Sequence, residues 1–444
     1  MRLALLRRQA LLLLVLLTAP ALAQEHPTLR QFRALLPPGI TLSFASLVQL
    51  PGSNGGITLE NAVLTNPQGR TTIESLTLEG AHVHGLARLS ARNLGTVAGA
   101  PPNVASVEMT GFTMRRRPPG QTPQPDDFKL ATLVMTGITA PGAPAFTIAR
   151  LRMAAWGIGQ RGEAEITGME FTGIPDNPID AMSIGRIAVS GLDMASLATT
   201  STQSRGPGRQ PAGRQSAALE AVILRGGGTV LGGLENLTIE GETDAQGTGN
   251  GRLALRGLRA ERTPLSADAL DAVGLDRLEA SLTLEGTYDA AAGRLAIPAL
   301  ALGVRELGAL ALALRLEGWT PQAMQAQDMS AVRLRDARLR YADQSLYRRA
   351  VRQQAQRQGG GEQAVRDMHA QVLGAMLSSG SANPALDGLR EVLLRFVRGE
   401  INVVELQLRP TAPVPMMGLP ATAQQGAAAL VRQLGLTAQG ERTP

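Results

Sequence analysis

A five-residue unit, apolar-x-apolar-x-Gly, recurs along this chain and ends at Gly80, Gly111, Gly137, Gly173, Gly191, Gly226, Gly241, Gly257, Gly286 and Gly318. Each copy alternates large apolar with polar side chains, the two-residue period of a strand with one buried face. The closing glycine supplies a positive φ, or a close backbone approach, at a bend. Two near-copies, ITLEN ending at Asn61 and VRLRD ending at Asp336, carry the residues that next best tolerate the left-handed region. The spacing of the units is irregular, which excludes a solenoid of fixed period.

Runs such as FTIARLRM (146–153) and IGRIAVSG (184–191) alternate in the same way. Strands joined by short Gly, Pro and Asn turns are antiparallel, and one apolar face per strand implies a sheet covered on one side only. The expected fold is mainly β: a long, twisted antiparallel meander, gutter-shaped or folded over on itself, with a small C-terminal α+β unit. The apolar stretch from Ile297 to Leu316 carries Arg305 and Glu306 at its centre, so it reads as two strands and a turn rather than a membrane span.

Composition shifts divide the chain. RRRPPGQTPQPDD (115–127) is a proline-rich basic loop, and LATTSTQSRGPGRQPAGRQSA (197–217) reads as a flexible linker. The expected division is a signal peptide over 1–23, a first β segment over 24–196, the linker over 197–217, a second β segment over 218–320 and the α+β unit over 321–444. In that unit, after a strand near Val332 to Tyr341, Val365, Met368, His369, Val372, Leu373 and Met376 fall on one helical stripe. Asn383-Pro384 opens another helix, lined by Leu386, Leu389, Leu393, Phe396 and Val397. A strand over 404–408, a proline-rich turn over 410–415 and a helix near 424–434 follow. The unit is expected to cap an open end of the sheet and shield its edge strand.

The first residues place the protein. Arg2, Arg7 and Arg8 precede an apolar run from Ala10 to Leu17, and Ala21-Leu22-Ala23 precedes Gln24. This is the pattern of a secretory signal cleaved after Ala23, so the expected location is the periplasm. No cysteine is present, so neither a disulfide nor a lipidated cysteine can form. Aromatic residues make up 3% of the chain, too few for the girdles of an outer-membrane barrel.

The formal charge is +6, and all basic residues but Lys129 are arginine. Anionic lipid head groups suit such a chain, with Arg115, Arg116 and Arg117 as the candidate contacts. Nucleic acid does not, since the stacking residues it needs are scarce.

Catalytic and metal signatures are weak. His82 and His84 point to one face of a strand, but no cysteine or carboxylate cluster accompanies them, so they read as turn residues rather than metal ligands. Gly157 to Gly162 matches G-x-G-x-x-G, yet the alternating EAEITGMEFTGIP follows where a dinucleotide site needs a helix, so the motif reads as a hairpin turn. There is no G-x-S-x-G elbow or Ser-x-x-Lys pair. The chain is expected to be no enzyme and to hold no cofactor or metal.

The stretches LPPGITLSF, ITLENAVLTNPQGRTTIESLTLEG and LEGTYDAAAGRLAIPALALGVRELGALALALRLEG, with the closing YADQSLYRRAVRQQ, resemble uncharacterised periplasmic proteins of proteobacteria. In style they are also similar to the repetitive-β envelope proteins of the AsmA and TamB kind. The larger AsmA-like proteins carry an N-terminal membrane anchor, where this chain has a cleavable signal. The resemblance implies an apolar groove for acyl chains and a part in envelope lipid homeostasis. The groove candidates are Leu237, Ile239, Leu282 and Leu284, and the expected partner is lipid or an envelope protein. The rival reading is a structural scaffold or protein-interaction module, and a third is a metal- or glycan-dependent enzyme.

Overall fold

The computed structural model describes residues 25–67, 69–97, 102–115, 124, 127–175, 177–203, 211–264, 266–320, 322–323, 328–378 and 384–443. β1 (Thr41–Ser43) and β2 (Ser46–Gln49) both pair with β3 (Ile57–Asn66). From β3 the chain runs as a meander through β4 (Gly69–His82), β5 (Gly85–Val97), β6 (Asn103–Met114), β7 (Phe128–Ala140), β8 (Ala145–Trp156), β9 (Gly162–Thr172) and β10 (Ala181–Leu192). It continues through β11 (Gly213–Gly226), β12 (Thr229–Thr243), β13 (Gly249–Glu261), β14 (Arg277–Asp289), β15 (Arg294–Val304), β16 (Gly308–Glu317) and β17 (Arg333–Asp343). β18 (Val403–Leu408) and β19 (Val414–Pro415) pair with β17, and β20 (Leu436–Glu441) pairs with β18. All these strands lie in one antiparallel sheet, and among the described residues nothing joins β20 back to β1 or β2, so the sheet is open.

Helices are few until the C-terminal third. α1 (Pro27–Leu35) precedes the sheet, α2 (Met194–Gln203) follows β10 and α3 (Ala267–Val273) follows β13. α4 (Leu346–Gln358), α5 (Glu362–Met376) and α6 (Pro384–Arg398) lie between β17 and β18, and α7 (Leu419–Gln424) and α8 (Ala427–Leu434) precede β20. The apolar stretch with Arg305 and Glu306 at its centre is β15, a turn and β16.

Two expectations are corrected here. The stretch 197–217 is not a linker throughout: α2 reaches Gln203, β11 begins at Gly213, and the two β segments join directly where β10 pairs with β11 through Val189↔Ala217 and Ser190↔Ser216. Ser216 within the stretch and Asp193 just before it are both partnered. Asp193 Oδ1 accepts the Ser196 N–H (2.8 Å) in the first turn of α2, and the Ser190 and Ser216 hydroxyls share a hydrogen bond of 2.7 Å across the strands. Residues 204–210 lie outside the described residues, as does the expected signal peptide.

The repeated glycines also behave differently from a strand-end bend. Gly173 and Gly318 do follow strand ends at φ +68° and +76°, but Gly80, Gly111, Gly137, Gly191 and Gly257 adopt positive φ inside strands that continue past them. They fall on lines across the sheet. Asn61, Asn93, Gly137, Gly168, Ala221 and Gly257, all left-handed, sit at one level on β3, β5, β7, β9, β11 and β13. Each such residue absorbs one extra position, so the apolar spacing steps from two to three: Leu59 to Ala62, Met135 to Ile138, Ile166 to Met169. The intervening strands take the same step, as in Ile73 to Leu76 and Val104 to Val107, so the register Glu60↔Ser75, Ala62↔Ile73 is kept. The apolar face therefore stays continuous across the line.

Buried apolar clusters gather towards the ends of the sheet. Leu29, Phe32 and Leu35 of α1 pack with Ile57, Leu59, Leu76 and Leu78. Leu386 and Leu389 of α6 and Val431 of α8 pack with Leu406, Leu436 and Ala438 of β18 and β20. The C-terminal helices thus cover the face of the last strands rather than the edge of β20, because their apolar stripes meet the apolar side chains there. The expected stripe of α5 is only partly used: Val365 is buried against Val351 and Ala355, while Val372 and Met376 remain exposed.

Candidate apolar binding face

Residues directly opposite one another in an antiparallel pair share a face. Following these partners from β3 to β18 gives one row: Leu59, Leu76, Ala91, Val107, Met135, Leu151, Ile166, Ile187, Leu219, Leu237, Leu255, Leu282, Leu302, Leu310, Tyr341 and Val404. A second row beside it runs from Ile57 and Leu78 through Leu133, Met153, Val189, Ile239, Leu253, Leu284, Leu300 and Leu339 to Leu406 and Ala438. With strands about 4.8 Å apart, rows this wide extend on the order of 70 Å.

Cover changes along the rows. Leu59 and Leu76 are 0% and 2% exposed beneath α1. Met135, Leu151, Ile166, Ile187, Leu219 and Leu237 are half-buried, and Ile239 reaches 46% exposure. Among the described residues no cluster of buried apolar side chains forms over β7 to β13. Single exposed leucines are ordinary, but a contiguous apolar strip on a polar-backed sheet is a candidate interaction surface. Two of the four groove candidates lie here, Leu237 on the first row and Ile239 on the second; Leu282 and Leu284 continue the two rows on β14, across β13, and are half-buried.

The opposite face is polar. Thr110 and Thr132 share a hydrogen bond of 2.6 Å, as do Ser106 and Thr136. Arg186 donates to Glu165 (2.7 Å) and Glu220 (2.8 Å), spanning three adjacent strands. The hydrogen bond from Arg186 holds the Glu165 carboxyl below its ordinary value, and Glu165 and then Glu220 raise the Arg186 guanidinium.

The remaining sequence candidates lie elsewhere. His82 ends β4, His84 lies in the exposed turn after it, and the His82 Nδ1 accepts the His84 N–H at 3.3 Å. The G-x-G-x-x-G stretch is the hairpin between β8 and β9, tied down where the Gly159 N–H donates to the buried Asp193 Oδ2 (2.6 Å). Arg115 is engaged by the side chain of Asp127 (3.1 Å), which is itself buried, so its guanidinium closes the base of the loop. Arg116 and Arg117 lie outside the described residues. Among the described residues no three His, Asp or Glu side chains gather as metal ligands would, and no helix is long and apolar enough to cross a membrane. Nothing in the sequence pointed to the burial of Asp127 or Asp193, which arises only from tertiary packing.

A family described only as "Uncharacterized protein" matches residues 301–441, which hold β16 to β20 and the C-terminal helices. No curated protein matches the chain.

Proposed function

We propose that this is an exported, non-enzymatic protein of the periplasm that binds or shuttles lipid along the apolar face of its sheet, in the manner that the likeness to AsmA- and TamB-type proteins implies. One observation carries the reading: two apolar rows cross the sheet side by side, covered by helices at the ends and left without a buried cluster over β7 to β13. Acyl chains match such a strip because they need apolar contact and make no hydrogen bonds, while the polar reverse face keeps the protein in water. Native mass spectrometry of protein purified from membranes tests the proposal. Co-purifying lipid is the expected result; a lipid-free protein that instead retains a stoichiometric protein partner on this face favours the scaffold reading.

A further inference from the structure

At the C-terminal end of the apolar face, residues from four segments distant in sequence line a pocket of about 230 Å³. Arg348 of α4, Arg366 of α5 and Arg442 beyond β20 line it, against one carboxylate among the described residues, Asp343. That carboxylate is occupied: its Oδ1 accepts the Tyr341 hydroxyl (2.8 Å) and the Tyr347 N–H (2.9 Å). Arg366 is held in place, donating to the Val397 carbonyl (3.1 Å) with its guanidinium 5.4 Å from the Tyr347 ring centroid. The segment carrying Arg442 is pinned by Asn402, whose Oδ1 accepts the Thr443 N–H (2.8 Å). Arg348 and Arg442 form no ion pair among the described residues.

The pocket opens on the same side of the sheet as the apolar rows. Asp343 lies two residues after Tyr341, and Asn402 two before Val404, so all four share a face. Phe396 joins the two regions, its ring 5.9 Å from Tyr341 of the first row and 5.4 Å from Tyr347 of the pocket. Phe396 and the α6 residues that bury Val404 thus stand between the cationic pocket and the uncovered part of the first row, which is reached at Leu310 on β16 and the 37% exposed Leu302 on β15.

We infer that this pocket takes the phosphate group of an anionic amphiphile whose apolar part lies on the adjoining rows. The inference rests on the lipid reading above and adds the head-group class. Arginine forks match phosphate oxygens bidentately, and three of them against one engaged carboxylate leave a net positive pocket beside an apolar surface.

The test measures binding of dioleoyl phosphatidic acid, dioleoylglycerol and inorganic phosphate to the full-length protein and to an Arg348→Gln/Arg442→Gln variant. Both arginines are exposed, so the melting temperature should not change. Losing charge-assisted hydrogen bonds to phosphate is worth roughly tenfold or more in affinity. The expected result is phosphatidic acid bound about tenfold or more tighter than dioleoylglycerol by the wild type, with the preference lost and dioleoylglycerol binding unchanged in the variant. Equal binding of the two lipids by the wild type, or a preference that survives in the variant, overturns the inference. Inorganic phosphate bound as tightly as phosphatidic acid also overturns it and identifies a free-anion pocket. If dioleoylglycerol is not bound at all, the apolar-face reading fails, separately from the pocket.

Discussion

Gly137 on β7 lies against Ala105 on β6 so closely that a Cβ on the glycine would come within 2.8 Å of the alanine Cβ. The same relation recurs at Gly80 with Ala87, Gly111 with Ala131 and Gly168 with Ala149. At Gly185 and Ala221 the roles are exchanged: alanine is left-handed at φ +54° and the glycine sits opposite. Each of these crossings has room for one Cβ.

Gly137→Ala is therefore expected to destabilise by about 2 kcal/mol or more, combining left-handed backbone strain with overlap. Adding Ala105→Gly should recover the overlap part of that loss while the left-handed strain remains, because the pair then repeats the Gly185/Ala221 arrangement. Urea denaturation of the single and double variants checks this; a double variant no more stable than the single would show that overlap is not the cause.

Leu76 and Leu237 lie on the same row, one under α1 and one where the strip is uncovered. Leu76→Ala should cost about 2–5 kcal/mol, the range for a fully buried leucine, and Leu237→Ala roughly 1 kcal/mol or less. Equal losses in the two urea midpoints would mean that the strip at β12 is packed beneath something.

The Arg186 network sets an acid limb. Glu165 is held below its ordinary value of 4.5 by Arg186, and Glu405 likewise by Arg338 and then Gln407. A carboxylate whose folded value is lowered contributes stability that is present above the unfolded value and is lost as pH falls through the lowered one. The groups are well solvated, so the contribution is small. Arg186→Gln should flatten the loss of urea midpoint below pH 4.5 relative to wild type. A steeper acid loss in the variant contradicts this sign.

Export rests on the Ala23-Gln24 junction. N-terminal sequencing of the mature protein should begin at Gln24, and a protein that retains Met1 in the cytoplasmic fraction would remove the periplasmic assignment.

The strands were legible because period-two alternation is local, and the α6 and β18 segments because their apolar spacing is equally regular. The left-handed lines were half legible. Glycine and asparagine mark most of them, but Ala155 and Ala221 carry no composition signal, and only the step from two to three in the apolar spacing betrays the position. α1 had no legible signal because nine residues, Pro27 to Leu35, show too few turns for a helical stripe. The stretch 197–217 misled because small polar residues, read as linker, serve equally in a strand, where Ser216 pairs with Ser190, and in α2, whose first turn is capped by Asp193 ahead of the stretch. The cationic pocket was invisible in sequence, since Arg348, Arg366 and Arg442 come together only when β17, α5 and β20 are in place.

The uncovered strip is tested most directly by Ile239→Asp combined with Leu284→Asp, two residues of one row separated by Leu253. With no packed layer over them, the carboxylates stay in water and the fold should survive, with a melting temperature lowered by only a few degrees, about the effect of 1 kcal/mol in a large domain. Lipid retained by the wild type on native mass spectrometry should be lost from this variant. A double variant that fails to fold would contradict the account, because unpaired carboxylates cost several kcal/mol only where they are buried. A folded variant that keeps its lipid would contradict it equally, by placing the ligand elsewhere.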